Sequence, residues 1–354
     1  MFHVILRRFA RWGIAGGSYL FLLLSLPEAS FAAETWNRWE QTLTSQQRYT
    51  NPYADVTVSV TFTDPAGEAF SSFGFWDGGD TWKIRCAFPA AGNWRWRTTT
   101  SPNNPSLNQE GNVTVSAYHG NNPLYAKGFL KVGSNHRYLT YADGTPFFWV
   151  GDTPWPAGLN ANDVDWQSYV NVRAGQKFNI LQMALAPAWA GASDRNGNPA
   201  FLDSNGNGLP DEITQWNPGY WRGFEEKVQY ANQQGLVVCL CGVMEPLHEP
   251  VHHQRLPETT LAERFARNLA ARFAGNHVVF SPSFDSGHQS TGPNPYAHGL
   301  AVGNAIRSAA PRHLIVNHPQ PAPSIMKQWH DSSQTYADIT GMQTGHGWAW
   351  TNLC

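Results

Sequence analysis

Three carboxylates, Asp152, Glu245 and Asp285, each stand just past an apolar run of the chain, at 146–151, 236–243 and 277–281. Neutral polar groups hold comparable places: His288, then Asn317 and His318 at the end of the run 313–317, then Gln343 and His346 at and beyond the end of 338–343. Cleavage of a glycosidic bond needs two carboxyl groups, one to protonate the leaving oxygen and one as nucleophile or base. Asp285 is the candidate proton donor, in the manner of a general acid. Asn317, Gln343 and His346 suit hydrogen bonds to hydroxyl groups, and Trp155, Trp189 and Trp348 could stack against sugar rings.

The elements that would position these residues alternate between strand and helix. The six apolar runs 146–151, 178–185, 236–243, 277–281, 313–317 and 338–343 read as strands. Amphipathic runs at 161–176, 220–234, 260–273 and 296–309 read as helices, the second closed by Gly235. This alternation implies a parallel sheet. The turn after the first strand, Gly151-Asp-Thr-Pro-Trp-Pro, lacks the G-x-G-x-x-G that a dinucleotide site requires. Polar and aromatic residues gather instead at the strand ends, as in the active site of a (β/α)8 barrel. Only eleven residues follow Gln343, too few for two more strand–helix units, so the expectation is a TIM-type barrel that ends after about six strands.

Upstream, from 36 to 118, the period is two. Runs at 56–62, 81–88, 93–98 and 112–116 alternate apolar and polar residues, and turn signals at 64–67, 77–80, 90–92 and 101–105 separate them. Short strands at that spacing predict a β-sandwich, with Trp82, Trp94 and Trp96 packed in its core. At the start of the chain, Arg7, Arg8 and Arg11 precede an apolar stretch at 12–26 and the small-residue exit Ser30-Phe-Ala-Ala33. That is the layout of a cleaved secretory leader. The expected organisation is therefore a signal peptide over 1–32, a β-sandwich over 33–120 and a barrel over 121–354, exported to the periplasm or secreted, with no membrane span after cleavage.

Composition agrees. Charged residues make up 14% of the chain and the net charge is −2, so no basic field is available for nucleic acid. Aromatic residues reach 13%, with 16 Trp, which suits a protein that meets sugars. The four cysteines, Cys86, Cys239, Cys241 and Cys354, have neither redox nor zinc-finger spacing and are expected as buried thiols. His248-Glu-Pro-Val-His252 fits the zinc-protease pattern, but Pro250 within it and Pro246 before it break the helix that the chemistry needs. Asp203, Asn205, Asn207 and Asp211, with Gly208, match the start of a structural Ca²⁺ loop, although Thr214 stands where such a loop ends in Glu. No cofactor is otherwise called for.

Five motifs in order carry a family resemblance. Phe147-Phe-Trp-Val-Gly-Asp-Thr-Pro-Trp155, Phe178-Asn-Ile-Leu-Gln182, Phe284-Asp-Ser-Gly287, Arg312-His-Leu-Ile-Val-Asn-His-Pro319 and Met342-Gln-Thr-Gly-His346 resemble the apiosidase-like glycoside hydrolases. The upstream segments Asn51-Pro-Tyr-Ala-Asp55 and Gly74-Phe-Trp-Asp-Gly-Gly79 resemble the β-sandwich that often precedes that barrel. The resemblance implies hydrolysis of glycosidic bonds in a complex, plant-type polysaccharide, with Asp285 as acid/base. It also implies a substrate pocket drawn from Asp152, Trp155, His318, Gln343 and His346, to which Trp189, Glu245 and Asn317 are added by position. The family's nucleophile, a glutamate closing the seventh strand, has no counterpart among these residues, and Glu245 does not correspond to it. The competing expectation is a non-catalytic carbohydrate-binding or cell-surface protein on the same scaffold.

Overall fold

The computed structural model describes residues 33–185, 193–203, 214–243, 259–283, 295–319, 323–333 and 335–341, so the leader segment falls outside them. The alternating runs of the first half form strands β1 (Ala33–Glu34), β2 (Arg38–Thr44), β3 (Thr57–Thr63), β4 (Ala69–Phe73), β5 (Phe75–Gly78), β6 (Thr81–Ala87), β7 (Gly92–Ser101) and β8 (Glu110–Ser116), with a short helix α1 (Pro52–Asp55) before β3. They make two sheets, ordered β1-β8-β7-β3-β4 and β2-β6-β5. Alternation sends Val58, Val60 and Phe62 of β3, Trp94 and Trp96 of β7, and Trp82 and Ile84 of β6 into one shared core. Trp82, Trp94 and Trp96 are 1%, 2% and 6% exposed, so their indoles are packing and not a sugar-binding face. Trp96 pairs with Gly111 across β7 and β8. A methyl group at 111 would overlap the indole, which is why glycine stands there.

The second half begins with α2 (Pro123–Lys127) and a small antiparallel sheet of β9 (Leu130–Val132), β10 (Leu139–Tyr141) and β11 (Pro146–Phe147). Here the strand expected over 146–151 is corrected. Pro146 and Phe147 pair backwards with β10, Phe148 is 82% exposed, and the parallel strand is the two-residue β12 (Gly151–Asp152). An apolar run alone cannot tell one strand from two that meet at a bend. The rest follows the expected alternation: α3 (Ala157–Asn160), α4 (Asp163–Gly175), β13 (Ile180–Ala184), α5 (Pro218–Gln233), β14 (Val237–Cys241), α6 (Thr259–Phe273), β15 (Val278–Ser281), α7 (Pro295–Ala309) and α8 (Pro323–Ser332). Caps set the helix starts. The Asn162 carboxamide accepts the Asp165 N–H at 2.8 Å to open α4, and Asn217 precedes Pro218 at the start of α5.

Strands β12, β13, β14 and β15 lie side by side and parallel. Parallel bridges from Phe280 to Ile315 and from Val316 to Ile339 extend the sheet where the fifth and sixth strands were expected. Both faces are buried, as parallel strands require. Leu181, Met183, Val238, Leu240 and Phe280 pack against the helices, while Ile180, Val237, Cys239, Cys241 and Val279 pack on the other side with Leu130, Tyr141 and Phe147 of the small sheet. Among the described residues no helix is long and apolar enough to cross a membrane.

A buried ionic seam joins the sandwich to the helices. On β6, Lys83 and Arg85 alternate away from the sandwich core and would face water in an isolated domain. Instead α5 and α6 cover Arg85. Glu225 of α5 accepts from Arg85 (2.7 Å), Arg38 (2.9 Å) and Arg272 of α6 (2.9 Å), and Arg272 also reaches Asp77 at 2.6 Å. Lys83 and Glu40 close the network at 2.9 Å. Burial pushes the Glu225 carboxyl up, but Arg85 and Arg272 outweigh burial and bring its pKa down to about 2.

Candidate active site

Inward-facing residues at the carboxyl ends of the parallel strands enclose a cavity of about 330 Å³. Thr153 and Trp155 come from the turn after β12, Gln182 from β13, Cys239 and Cys241 from β14, and Ser281 from β15. Asn317, His318 and Gly341 complete it from the extension of the sheet, and Trp149 and Val316 add apolar wall. A parallel sheet opens its ligand crevice at this end because the strand-to-helix turns diverge there.

Local bonds fix the rim. Trp155 donates its N–H to the Thr153 carbonyl at 2.8 Å, and its own carbonyl accepts from Ala184 at 3.0 Å, which ties the turn to the end of β13. The indole meets the His318 ring edge to face, with centroids 5.5 Å apart. His318 donates its backbone N–H to the Ser283 hydroxyl at 2.8 Å, and the Ser281 hydroxyl donates to the Ser283 carbonyl at 2.8 Å. Asn317 is 3% exposed, and its carboxamide oxygen accepts from the Tyr336 hydroxyl at 3.3 Å. Gly341 lies so close to Asn317 that a Cβ would overlap the Asn317 carbonyl oxygen, so only glycine closes this wall.

The expected site residues divide into three groups. Trp155, Asn317 and His318 come together in the cavity. Asp152 ends β12 as expected but does not line the cavity. Its carboxylate accepts from the Tyr169 hydroxyl (2.7 Å), the Thr153 N–H (2.8 Å) and Arg173 of α4. Burial pushes this carboxyl up, and those three donors together outweigh it and hold its pKa below the ordinary value. Asp285, Trp189, Glu245, Gln343 and His346 lie outside the described residues, as do Asn205, Asn207 and Asp211 of the expected Ca²⁺ loop, His288, Trp348 and the 248–252 motif. Asp203 is described and exposed. Among the described residues no group of three His, Cys, Asp or Glu side chains could hold a metal.

Sequence reasoning missed Gln182, Cys239, Cys241, Ser281 and Gly341 as cavity residues. One signal was available for Gln182. It is the single polar residue in the run Ile180–Ala184, at an inward position of the period-two pattern. The described lining carries neutral hydrogen-bonding groups and two indoles, with no carboxylate among it. Such a surface suits a neutral, polyhydroxylated ligand with an apolar ring face.

The fold and this cavity define a βα protein with a polar, aromatic-walled crevice at its strand ends. Within that class, the chain belongs to the apiosidase-like family, whose catalytic-domain model matches residues 133–353. Residues 32–101 match a domain of unknown function, DUF5060. Among solved structures, a Bacteroides vulgatus ATCC 8482 protein crystallised as a candidate glycoside hydrolase shares the fold at TM-score 0.64 and 21% identity, over 81% of this chain and 56% of its own. A family 5 glycoside hydrolase from the same organism matches at TM-score 0.51 and 22% identity, over 65% of this chain and 47% of its own. A third structure, described as a glycoside hydrolase, matches at TM-score 0.52 and 22% identity, over 64% and 48%. The chain therefore spans about half the length of these solved relatives. No curated protein matches it.

Proposed function

We propose that the protein is an exported glycoside hydrolase, secreted or periplasmic, that cleaves glycosidic bonds in complex plant-type polysaccharide, with Asp285 as the acid/base. The scaffold of this reading is a TIM-type barrel fed by the strand series above. The observation that carries it is one of adjacency in sequence to the cavity. Asp285 stands two residues beyond Ser283, whose hydroxyl is bonded to cavity residue His318. Gln343 stands two residues beyond Gly341, itself in the cavity wall. The described chain thus stops beside the cavity that holds Trp155, Asn317 and His318 shortly before each of these two positions in the sequence. In the proposed reaction the sugar ring lies against Trp155, and Gln182 and Asn317 take hydrogen bonds from its hydroxyls. Asp285 then gives its proton to the leaving oxygen. A nucleophile is not assigned.

One observation favours the second reading, a carbohydrate-binding protein without turnover: the described lining is wholly neutral. A panel of plant polysaccharides, assayed for new reducing ends, separates the two. The hydrolase reading expects release of sugar that falls at least a hundredfold in Asp285→Asn and is unchanged in Glu110→Gln, an exposed change on the sandwich. Equal turnover in Asp285→Asn removes that residue from the reaction, and saturable binding without any turnover supports the binding protein.

A further inference from the structure

We infer that the cavity selects a deoxyhexose, a sugar with a methyl group where an ordinary hexose has a hydroxymethyl, and that Cys239 and Cys241 make this choice. The selectivity rests on the proposed reading of the cavity as a sugar site and names the class of sugar. Cys239 and Cys241 alternate to the same face of β14, and both line the cavity while being 1% exposed. They belong to the strand itself, whereas Thr153 and Trp155 come from a turn beyond a strand, so the thiols form the floor and the turn residues the rim. No disulfide joins the two thiols, and their sulfurs lie in contact, 3.6 Å apart. Ile180, Val237 and Val279 belong to the same apolar cluster, and Val316 packs against it. A buried thiol behaves as a small hydrophobe with only a weak donor.

Two polar side chains share this floor. Ser281, opposite Cys241 in the register of β14 and β15, already donates its hydroxyl to the Ser283 carbonyl at 2.8 Å. Gln182, opposite Cys239 on β13, holds its carboxamide oxygen 3.9 Å from the Cys241 sulfur and meets no closer polar group among the described residues. Gln182 therefore suits one ring hydroxyl, and the thiols beside it face the next substituent. A hydroxymethyl pressed on that surface gives up water without a replacement hydrogen bond, whereas a methyl group gives up none. The cavity's volume of about 330 Å³ stands at the small end of the ~300–1,000 Å³ of ligand pockets, which suits one sugar ring without an acetamido arm.

The test measures binding of free sugars to the reduced protein by titration calorimetry and saturation-transfer NMR. The sugars are matched pairs: fucose against galactose and rhamnose against mannose, each in both enantiomers, and quinovose against glucose. At least one deoxyhexose should bind roughly ten- to a hundredfold tighter than its hexose partner, with the strongest saturation on its methyl protons. The preference should fall below about threefold in Cys241→Ser, whose hydroxyl supplies the hydrogen bond that the thiol withholds. Equal or tighter binding of every hexose, tighter binding of an N-acetylhexosamine, or a preference unchanged in folded Cys241→Ser overturns the assignment and leaves the cavity a sugar site. Binding of no sugar in the panel defeats the sugar-site reading and this selectivity with it. The preference and the methyl signal are read on the unaltered chain, so a Cys241→Ser protein that fails to fold masks neither. Binding is read without turnover, so the fate of Asp285 does not enter.

Discussion

Glu225 and Asn317 are both nearly buried polar side chains, 7% and 3% exposed, yet they sit in opposite surroundings. Three arginines from β2, β6 and α6 converge on Glu225, and Glu40 and Asp77 pair with Arg85, Arg272 and Lys83 around it. The Asn317 carboxamide accepts from a tyrosine hydroxyl, and a tryptophan–histidine pair and the close-packed Gly341 share its cavity wall. The contrast shows where charge works in this molecule. It locks the sandwich to the helical layer, while the strand-end cavity offers neutral hydrogen bonds, the kind that a sugar's hydroxyls can exchange for water without the cost of stripping an ion.

The largest test of that contrast is Glu225→Ala. It leaves the buried Arg85 and Arg272 with only Glu40 and Asp77 as counter-charges and Arg38 with no ion-pair partner among the described residues, and should destabilise the chain by about 3 kcal/mol in urea unfolding. Sugar binding by the folded fraction should not change, and a loss of both together would merge the two regions into one functional unit. Next comes pH. Burial lowers the pKa of His277 to about 4 and of His313 to about 3, both packed on Phe129 near the sandwich junction. A depressed folded pKa means that the unfolded chain takes the proton first. Stability is therefore complete above about pH 6.5 and falls as pH drops toward 4 and then 3. Glu225 adds a further loss from about 4.5 down to about 2. His277 alone accounts for on the order of 3 kcal/mol, and His277→Gln should flatten the stability curve between pH 6.5 and 4.

Trp155→Ala tests the cavity side of the comparison. Removing the indole should weaken oligosaccharide binding about tenfold, measured by titration calorimetry, with unfolding shifted by no more than ~1 kcal/mol. The smallest effect is expected from Asp152→Asn. Its carboxylate is a partly exposed partner of Arg173, worth about 0–1 kcal/mol, and sugar binding should persist. A collapse of binding in this variant would return Asp152 to the substrate pocket that the family resemblance assigns it.

Much of the frame was legible in the sequence because its signals are local. Period-two runs located β3, β6, β7 and β8, and the amphipathic runs at 161–176, 220–234, 260–273 and 296–309 located α4, α5, α6 and α7 to within a few residues. The ionic seam was not legible. Arg85 and Glu225 lie 140 positions apart, and alternation marks Lys83 and Arg85 only as pointing away from a core, never as covered by a helix. Asp152 is a different case. Its place at a strand end was read correctly, but a side chain at the last strand residue can turn inward to the crevice or outward to α4, and Tyr169 and Arg173 decide that in space. The cavity's cysteines were legible only as buried thiols, because an apolar strand hides which face is inward until the sheet is assembled.

The most direct measurement is a crystal structure of the protein with an oligosaccharide bound. This account predicts a sugar ring against the Trp155 indole, hydroxyls within hydrogen-bond distance of Gln182 and Asn317, and the Asp285 carboxyl within about 3.2 Å of a glycosidic oxygen. A sugar bound elsewhere, or an Asp285 carboxyl turned away from it, would contradict the account.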